Sequence, residues 1–181
     1  MKAITVIASP HKKGNCRTIV DAITEGIKEN NGENTIYYVD DMNIKPCQAC
    51  MGCRNPDKPS KCVIEDDFRK IMDDLEKKDA LIFAAPNYFG EINAQGHIFM
   101  DRFYSMTKST PNQFKKDKKA VVIFTYGARD GYYDEYINRR AQLFESIGLT
   151  VDSIISAGSG KPNSGNSEDI LQKAKNIGNN L

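Results

Sequence analysis

Lys2–Thr18 reads KAITVIASPHKKGNCRT. Lys2–Ala8 is a β-branched, apolar run with no polar alternation, the mark of a strand buried on both faces. Ser9 and Pro10 end it. From Asn15 to Glu29 the period changes: Ile19, Ile23 and Ile27 recur at helical spacing, with Asn15 as the expected cap. A buried strand turning directly into a helix is the first piece of an alternating α/β chain.

The rest of the sequence continues the alternation. Thr35–Val39 reads as a second strand, Ala80–Ala85 as a third stopped by Pro86, Ala120–Tyr126 as a fourth and Thr150–Ala157 as a fifth. Helices are expected over Asp66–Lys77 (Phe68, Ile71, Met72 and Leu75 on one face), Asn93–Met106 (Ile98, Phe99, Phe103, Met106), Tyr132–Ile147 with Gly148 at its C-cap, and Glu168–Ile177. Lys45–Cys62 is rich in Pro and Cys and cannot hold regular structure for long. Thr110–Lys119 reads as a lysine-rich loop. There is no internal repeat or interdomain linker. The pattern predicts one α/β domain over residues 1–181: a flavodoxin-like three-layer sandwich on a five-stranded parallel sheet, order 2-1-3-4-5.

At 181 residues the chain can bury a substantial core. A formal net charge of +1 gives no global field for nucleic acid or an anionic membrane. The apolar run at the N-terminus is too short for a membrane span and lacks the features of a secretory signal. A cytoplasmic protein is expected.

In such a sheet a ligand sits beyond the carboxyl ends of the strands, beside the first one. The loops after the first, third and fourth strands are therefore the ones that matter. In the first, Ser9, Asn15 and Thr18 can donate hydrogen bonds, Gly14 permits close approach, and the helix start favours a phosphate. Lys12, Lys13 and Arg17 add positive charge. The segment is neither a Walker loop nor GxGxxG, and a solvated basic turn is the plain alternative.

The string S-P-x-x-x-G-N-C-x-T resembles the FMN phosphate loop of the NAD(P)H-dependent FMN reductase and flavodoxin-like superfamily. The resemblance implies FMN contacts from Ser9, His11, Lys13, Gly14, Asn15, Cys16 and Thr18. Members often carry Arg where this chain has His11, so the cation facing the phosphate is open between Lys12, Lys13 and His11. Cys16 stands where Ser or Thr is usual.

Pro86-Asn87-Tyr88-Phe89-Gly90 resembles the family's second flavin loop, where Tyr88 and Phe89 can stack on a ring and the turn can offer N–H groups. Thr125, Tyr126 and Gly127 are placed like its third. The helix after the second loop carries Asp101-Arg102, a family-like pair expected to form a surface or interface ion pair. Phe99 and Phe103 are expected in the core or at a dimer contact, and His97 at the surface. Gly158–Pro162 looks like a phosphate loop but starts no helix, and reads as flexible.

Of five cysteines, Cys47, Cys50, Cys53 and Cys62 form C-x2-C-x2-C-x8-C. In a reducing compartment, such spacing points to metal or redox chemistry rather than disulfides. The first three fall at ferredoxin-like intervals, favouring a 4Fe–4S cluster over zinc. Reduced thiols that merely hold a loop are the alternative. Lys45, Lys58 and Lys61 would offset thiolate charge. The block resembles the archaeal and bacterial iron–sulfur flavoproteins, which place a compact cysteine motif after the second strand; their last gap is usually shorter.

The expected function is an FMN-dependent oxidoreductase, with NAD(P)H as co-substrate and a quinone, oxygen or another small molecule as acceptor. It needs no catalytic side chain, since the redox chemistry belongs to the flavin. A non-enzymatic carrier relaying electrons from a redox protein such as ferredoxin is the alternative, and a metal-stabilised binding module without flavin ranks last. A homo-oligomer, dimer or tetramer, is expected on family grounds.

Overall fold

Hydrophobic alternation within the strands explains how this chain makes two cores. In β1 (Lys2–Ile7), Ile4 and Val6 face one side while Ala3 and Ile7 face the other. The same split runs through β3 (Ala80–Tyr88), with Leu81 and Phe83 opposite Ala80 and Ile82, and β5 (Lys119–Tyr126), with Val122 and Phe124 opposite Val121 and Ile123. Such strands are stable only when covered on both faces. The computed structural model describes residues 1–55, 57, 61–107, 114, 118–161 and 164–181.

The remaining strands are β2 (Glu33–Tyr38), the two-residue β4 (Glu91–Ile92) and β6 (Thr150–Gly158). The parallel sheet runs β2-β1-β3-β5-β6, and β4 adds an antiparallel hairpin to the end of β3. Without that hairpin, this is the expected 2-1-3-4-5 order. α1 (Asn15–Glu29) and α5 (Glu168–Asn180) cover one face. α2 (Asp67–Glu76), α3 (Ala94–Asp101) and α4 (Asp134–Glu145) cover the other, where Phe68, Phe83, Phe99, Phe103 and Phe144 pack ring against ring. Phe99 and Phe103 thus lie in the core. No helix among the described residues is long and apolar enough to cross a membrane.

Three local expectations are corrected. Gly14, not Asn15, is the N-cap of α1, and no side chain caps that helix. The helix expected over 93–106 ends at Asp101 and continues as a 3₁₀ segment, Arg102–Met106. Arg102 is not half of a surface pair with Asp101. It is 1% exposed and its guanidinium bonds Asp66 at 2.5 Å, because the end of α3 packs over the start of α2 rather than facing solvent. Lys58, Pro56, Pro59, Pro162 and most of the 110–119 loop lie outside the described residues.

Candidate functional site

At the carboxyl edge of the sheet, the loops after β1, β3, β5 and β6 enclose a cavity of about 700 Å³. That is within the range of roughly 300–1,000 Å³ typical of cofactor sites. The first loop contributes Ser9, Pro10, His11, Lys13, Gly14, Asn15, Cys16 and Thr18. The second contributes Pro86, Asn87 and Tyr88, and the third Thr125, Tyr126 and Gly127. The loops singled out in the sequence therefore do converge. Phe89 and Gly90 do not line the cavity: they form the tip of the β3–β4 hairpin, both with positive φ, and Phe89 is fully exposed.

The phosphate end is built from backbone. The first-turn amides of α1 have no side-chain cap and no acidic neighbour in that turn, so partial positive charge is left facing the cavity. The amide of His11 donates to Ser9 Oγ at 3.2 Å, which leaves the serine proton free to donate elsewhere. Among the described residues, no carboxylate lines the cavity. Lys12 turns away: its Nζ pairs with Asp41 at 2.5 Å and lies over the Tyr38 ring. Arg17 is held by Asp21 at 2.7 Å and by the Tyr38 hydroxyl. Of the basic side chains of this loop, Lys13 lines the cavity as its cation, and the His11 imidazole lies beside it.

The deeper wall is neutral. Cys16 is buried with Sγ 3.3 Å from Thr125 Oγ1, and desolvation pushes the thiol up to about 12 despite that hydrogen bond. Tyr126 is held in place by its hydroxyl at 2.9 Å from Ser156 and its ring 5.1 Å from that of Tyr133. Asn87 Nδ2 is buried without a hydrogen-bond partner among the described residues. A buried amide donor in this position costs free energy unless a ligand oxygen accepts it. An anion-favouring end, a neutral wall with an unused donor, and sufficient volume fit the phosphate and the polar ring edge of FMN.

Ser159 and Gly165 also line the cavity; Ser159 lies in Gly158–Pro162, which the sequence reads as flexible. Ser159 is pinned by its amide to the Tyr126 carbonyl at 3.1 Å, and Asn166 Nδ2 donates to the Asn15 carbonyl at 3.0 Å. Gly158 is required here, since a Cβ would lie 2.6 Å from the Asp130 Cα. The signal available in the sequence was positional: the end of the fifth parallel strand reaches the same sheet edge.

The cysteine loop leaves the same edge, after β2. Cys47, Cys50, Cys53 and Cys62 all line one small cavity of about 20 Å³, together with Arg102. Cys47 and Cys50 are exposed and Cys53 is buried. Among the described residues, no three Cys, His, Asp or Glu side chains stand close enough together to hold a metal ion. The lining residues nonetheless include four cysteines, the donor type that a soft metal or an iron–sulfur group takes. Between the cysteines, Ala49 and Met51 hold left-handed backbone, at φ 50° and 57°. Non-glycine residues adopt that conformation at a cost that the surrounding structure must offset. Lys61 turns to Glu76 at 2.7 Å rather than to the sulfurs, and His97 lies 3.8 Å from Glu91.

The family model described as NADPH-dependent FMN reductase matches residues 1–159. An iron-sulfur flavoprotein of Methanosarcina thermophila is 33% identical over 137 residues, 76% of this chain and 69% of the relative. One from Archaeoglobus fulgidus is 28% identical over 131 residues, covering 72% of this chain but only 62% of the relative. Among solved structures, an NAD(P)H:quinone oxidoreductase from Methanothermobacter marburgensis superposes with a TM-score of 0.75 at 19% identity, over 100% of this chain and 98% of its own. That likeness is one of fold.

Proposed function

The chain belongs to the NADPH-dependent FMN reductase family, alongside the iron–sulfur flavoproteins, and from that premise we propose that it is an FMN-dependent oxidoreductase acting from the cavity at the carboxyl edge of its sheet. The observation that carries the reading is the cavity, lined by no carboxylate among the described residues, with the uncapped start of α1 at one end and the unpartnered Asn87 amide in its wall. FMN bound there would supply the redox centre. Ser9, Gly14, Asn15 and Thr18 would cradle the phosphate, with Lys13 as the cation and His11 beside it. Tyr88 and Tyr126 would wall the ring, and Asn87 would donate to its polar edge. The exposed Phe89 stands just outside the cavity. The family description supports NAD(P)H as donor, and a quinone or similar small molecule is the acceptor of this reading. A homo-oligomer and a cytoplasmic location are part of the same reading.

The four cysteines lining one cavity favour a second centre: Cys47, Cys50, Cys53 and Cys62 would hold a 4Fe–4S cluster, which would supply one-electron chemistry beside the flavin site. If turnover with NAD(P)H is absent and a ferredoxin-like protein reduces the chain rapidly, the protein is an electron carrier rather than a reductase. The deciding experiment is titration of the purified full chain with FMN, followed by flavin fluorescence and then by NAD(P)H-dependent quinone reduction. Saturable quenching at one FMN per chain is expected. Absence of saturable binding overturns the flavoprotein reading, whatever the cysteines hold.

A further inference from the structure

Arg102 is the most deeply buried charge among the described residues, and its bonds go to both ends of the cysteine loop. Nη1 donates to the Lys45 carbonyl at 2.8 Å and to Asp66 Oδ2 at 2.5 Å. Nη2 donates to Cys62 Sγ at 3.1 Å and to the Ile64 carbonyl at 3.5 Å. Lys45 precedes the first cysteine, whereas Cys62 and Ile64 lie at the far end. Asp66 closes the same ring by accepting from the Lys45 amide at 2.9 Å. The planar guanidinium stacks on Phe68, 4.7 Å from its centroid, which fixes the plane of the fork. Its Nε is buried with no partner among the described residues, and Arg102 lines the cavity that all four cysteines line.

The same 3₁₀ segment grips the middle of the loop. Arg54, next to Cys53, donates to the Tyr104 carbonyl at 2.9 Å and stacks on the Tyr104 ring. Gly52 packs so tightly on Val63 that a Cβ would lie 2.6 Å from a methyl carbon. Thus the loop is clamped against Arg102–Met106 at its ends and at its centre.

We propose that Arg102 is the positioning residue of the cysteine centre: its fork holds Cys62, the ligand remote from the C-x2-C-x2-C run, beside the other three and donates an N–H bond to its sulfur. The inference rests on the reading that the four cysteines bind an iron–sulfur group. Lysine cannot replace the fork, because one ammonium cannot span Lys45, Asp66 and Cys62 in fixed geometry. An N–H bond and a positive charge beside a ligand sulfur raise the reduction potential of such a centre.

The test uses the full chain as wild type, Arg102→Lys and Arg102→Gln, with FMN titration showing that each variant is folded. Each is reconstituted anaerobically with ferrous iron and sulfide, then assayed for iron and sulfide per chain, iron retention against a chelator, EPR line shape and midpoint potential. Both variants are expected to lose retention by about tenfold or more, and Arg102→Gln to shift the potential to more negative values. Wild-type retention, line shape and potential in both variants would overturn the proposal. If neither variant folds, Asp66→Asn, which weakens the anchor of the fork, takes their place with the same readouts.

A parallel arm on chelator-treated, metal-free chain measures iodoacetamide labelling at each cysteine by peptide mass. Cys62, hydrogen-bonded to Arg102, is expected to label at a different rate in Arg102→Lys than in wild type, while the exposed Cys50, which has no bond to Arg102, labels alike in both. Equal labelling of Cys62 in both chains overturns the contact. If the wild-type chain takes up no iron, the reading of the cysteines fails, and this arm alone decides whether Arg102 holds Cys62.

Discussion

Cys16 Sγ lies 3.3 Å from Thr125 Oγ1, a contact between the first turn of α1 and the end of β5. Burial raises the thiol to about 12, more than the Thr125 hydrogen bond lowers it. Near neutral pH the thiolate that reacts with electrophiles is then scarce at Cys16. Iodoacetamide is therefore expected to label the exposed Cys47 and Cys50 of metal-free chain long before Cys16, which should react only on unfolding. Cys16→Ser, which preserves a small hydroxyl-bearing group, is expected to retain FMN binding. Rapid labelling of Cys16 in the native chain would contradict the buried, neutral thiol.

Lys12 and Lys13 are adjacent in sequence but differ in partner. Lys12 is neutralised by Asp41, whereas Lys13 lines the cavity. A charge-assisted hydrogen bond to phosphate is worth about 1.5–3 kcal/mol. Lys13→Ala should therefore weaken FMN binding by about tenfold or more, while Lys12→Ala stays close to wild type. Riboflavin, which lacks the phosphate, is the control: its affinity should not distinguish the two variants. Equal losses of FMN affinity would show that the Lys12–Asp41 pair gives way when the cofactor binds.

Asp66 and Arg102 form an ion pair with side chains 1% and 0% exposed. Burial alone would raise the Asp66 carboxyl, but hydrogen bonds from Arg102 and from the Lys45 and Phe68 amides outweigh it and hold the carboxyl below its usual value. With the folded value below the unfolded one, the stabilisation is complete above about pH 4 and is lost as pH falls through the folded value. Asp66→Ala should cost about 3–5 kcal/mol at pH 7, because it leaves a buried guanidinium unpaired. The difference from wild type in urea unfolding should shrink as the pH is lowered toward 3. A difference that is constant with pH would assign the loss to packing or to the α2 cap instead.

Gly178 of α5 abuts α1 so closely that a Cβ would lie 2.1 Å from the Ile23 carbonyl oxygen. Both partners are helix backbone and cannot move aside cheaply. Gly178→Ala should destabilise by about 1–3 kcal/mol despite alanine's better helix propensity. For a chain of this size, that lowers the melting temperature by about 2–4 °C per kcal/mol. An unchanged or higher melting temperature would mean that α1 and α5 are not in contact here.

Much of the fold was readable from contiguous residues. Apolar runs such as AVVIFTY and the helical spacing of Ile19, Ile23 and Ile27 place strands and helices, since burial of their faces follows from side-chain period alone. The three loops of the cavity follow from strand order, because a parallel sheet brings the carboxyl ends of its strands to one edge. The charge pattern around the site was not readable in the same way. That Asp41 neutralises Lys12, that Arg102 reaches Cys62 and Asp66 rather than its neighbour Asp101, and that Ser159 and Gly165 close the cavity are facts of packing between distant segments. A charged side chain pairs with whatever the fold brings within a few ångströms. That choice is made by the docking of helices and loops, after local periodicity has done its part.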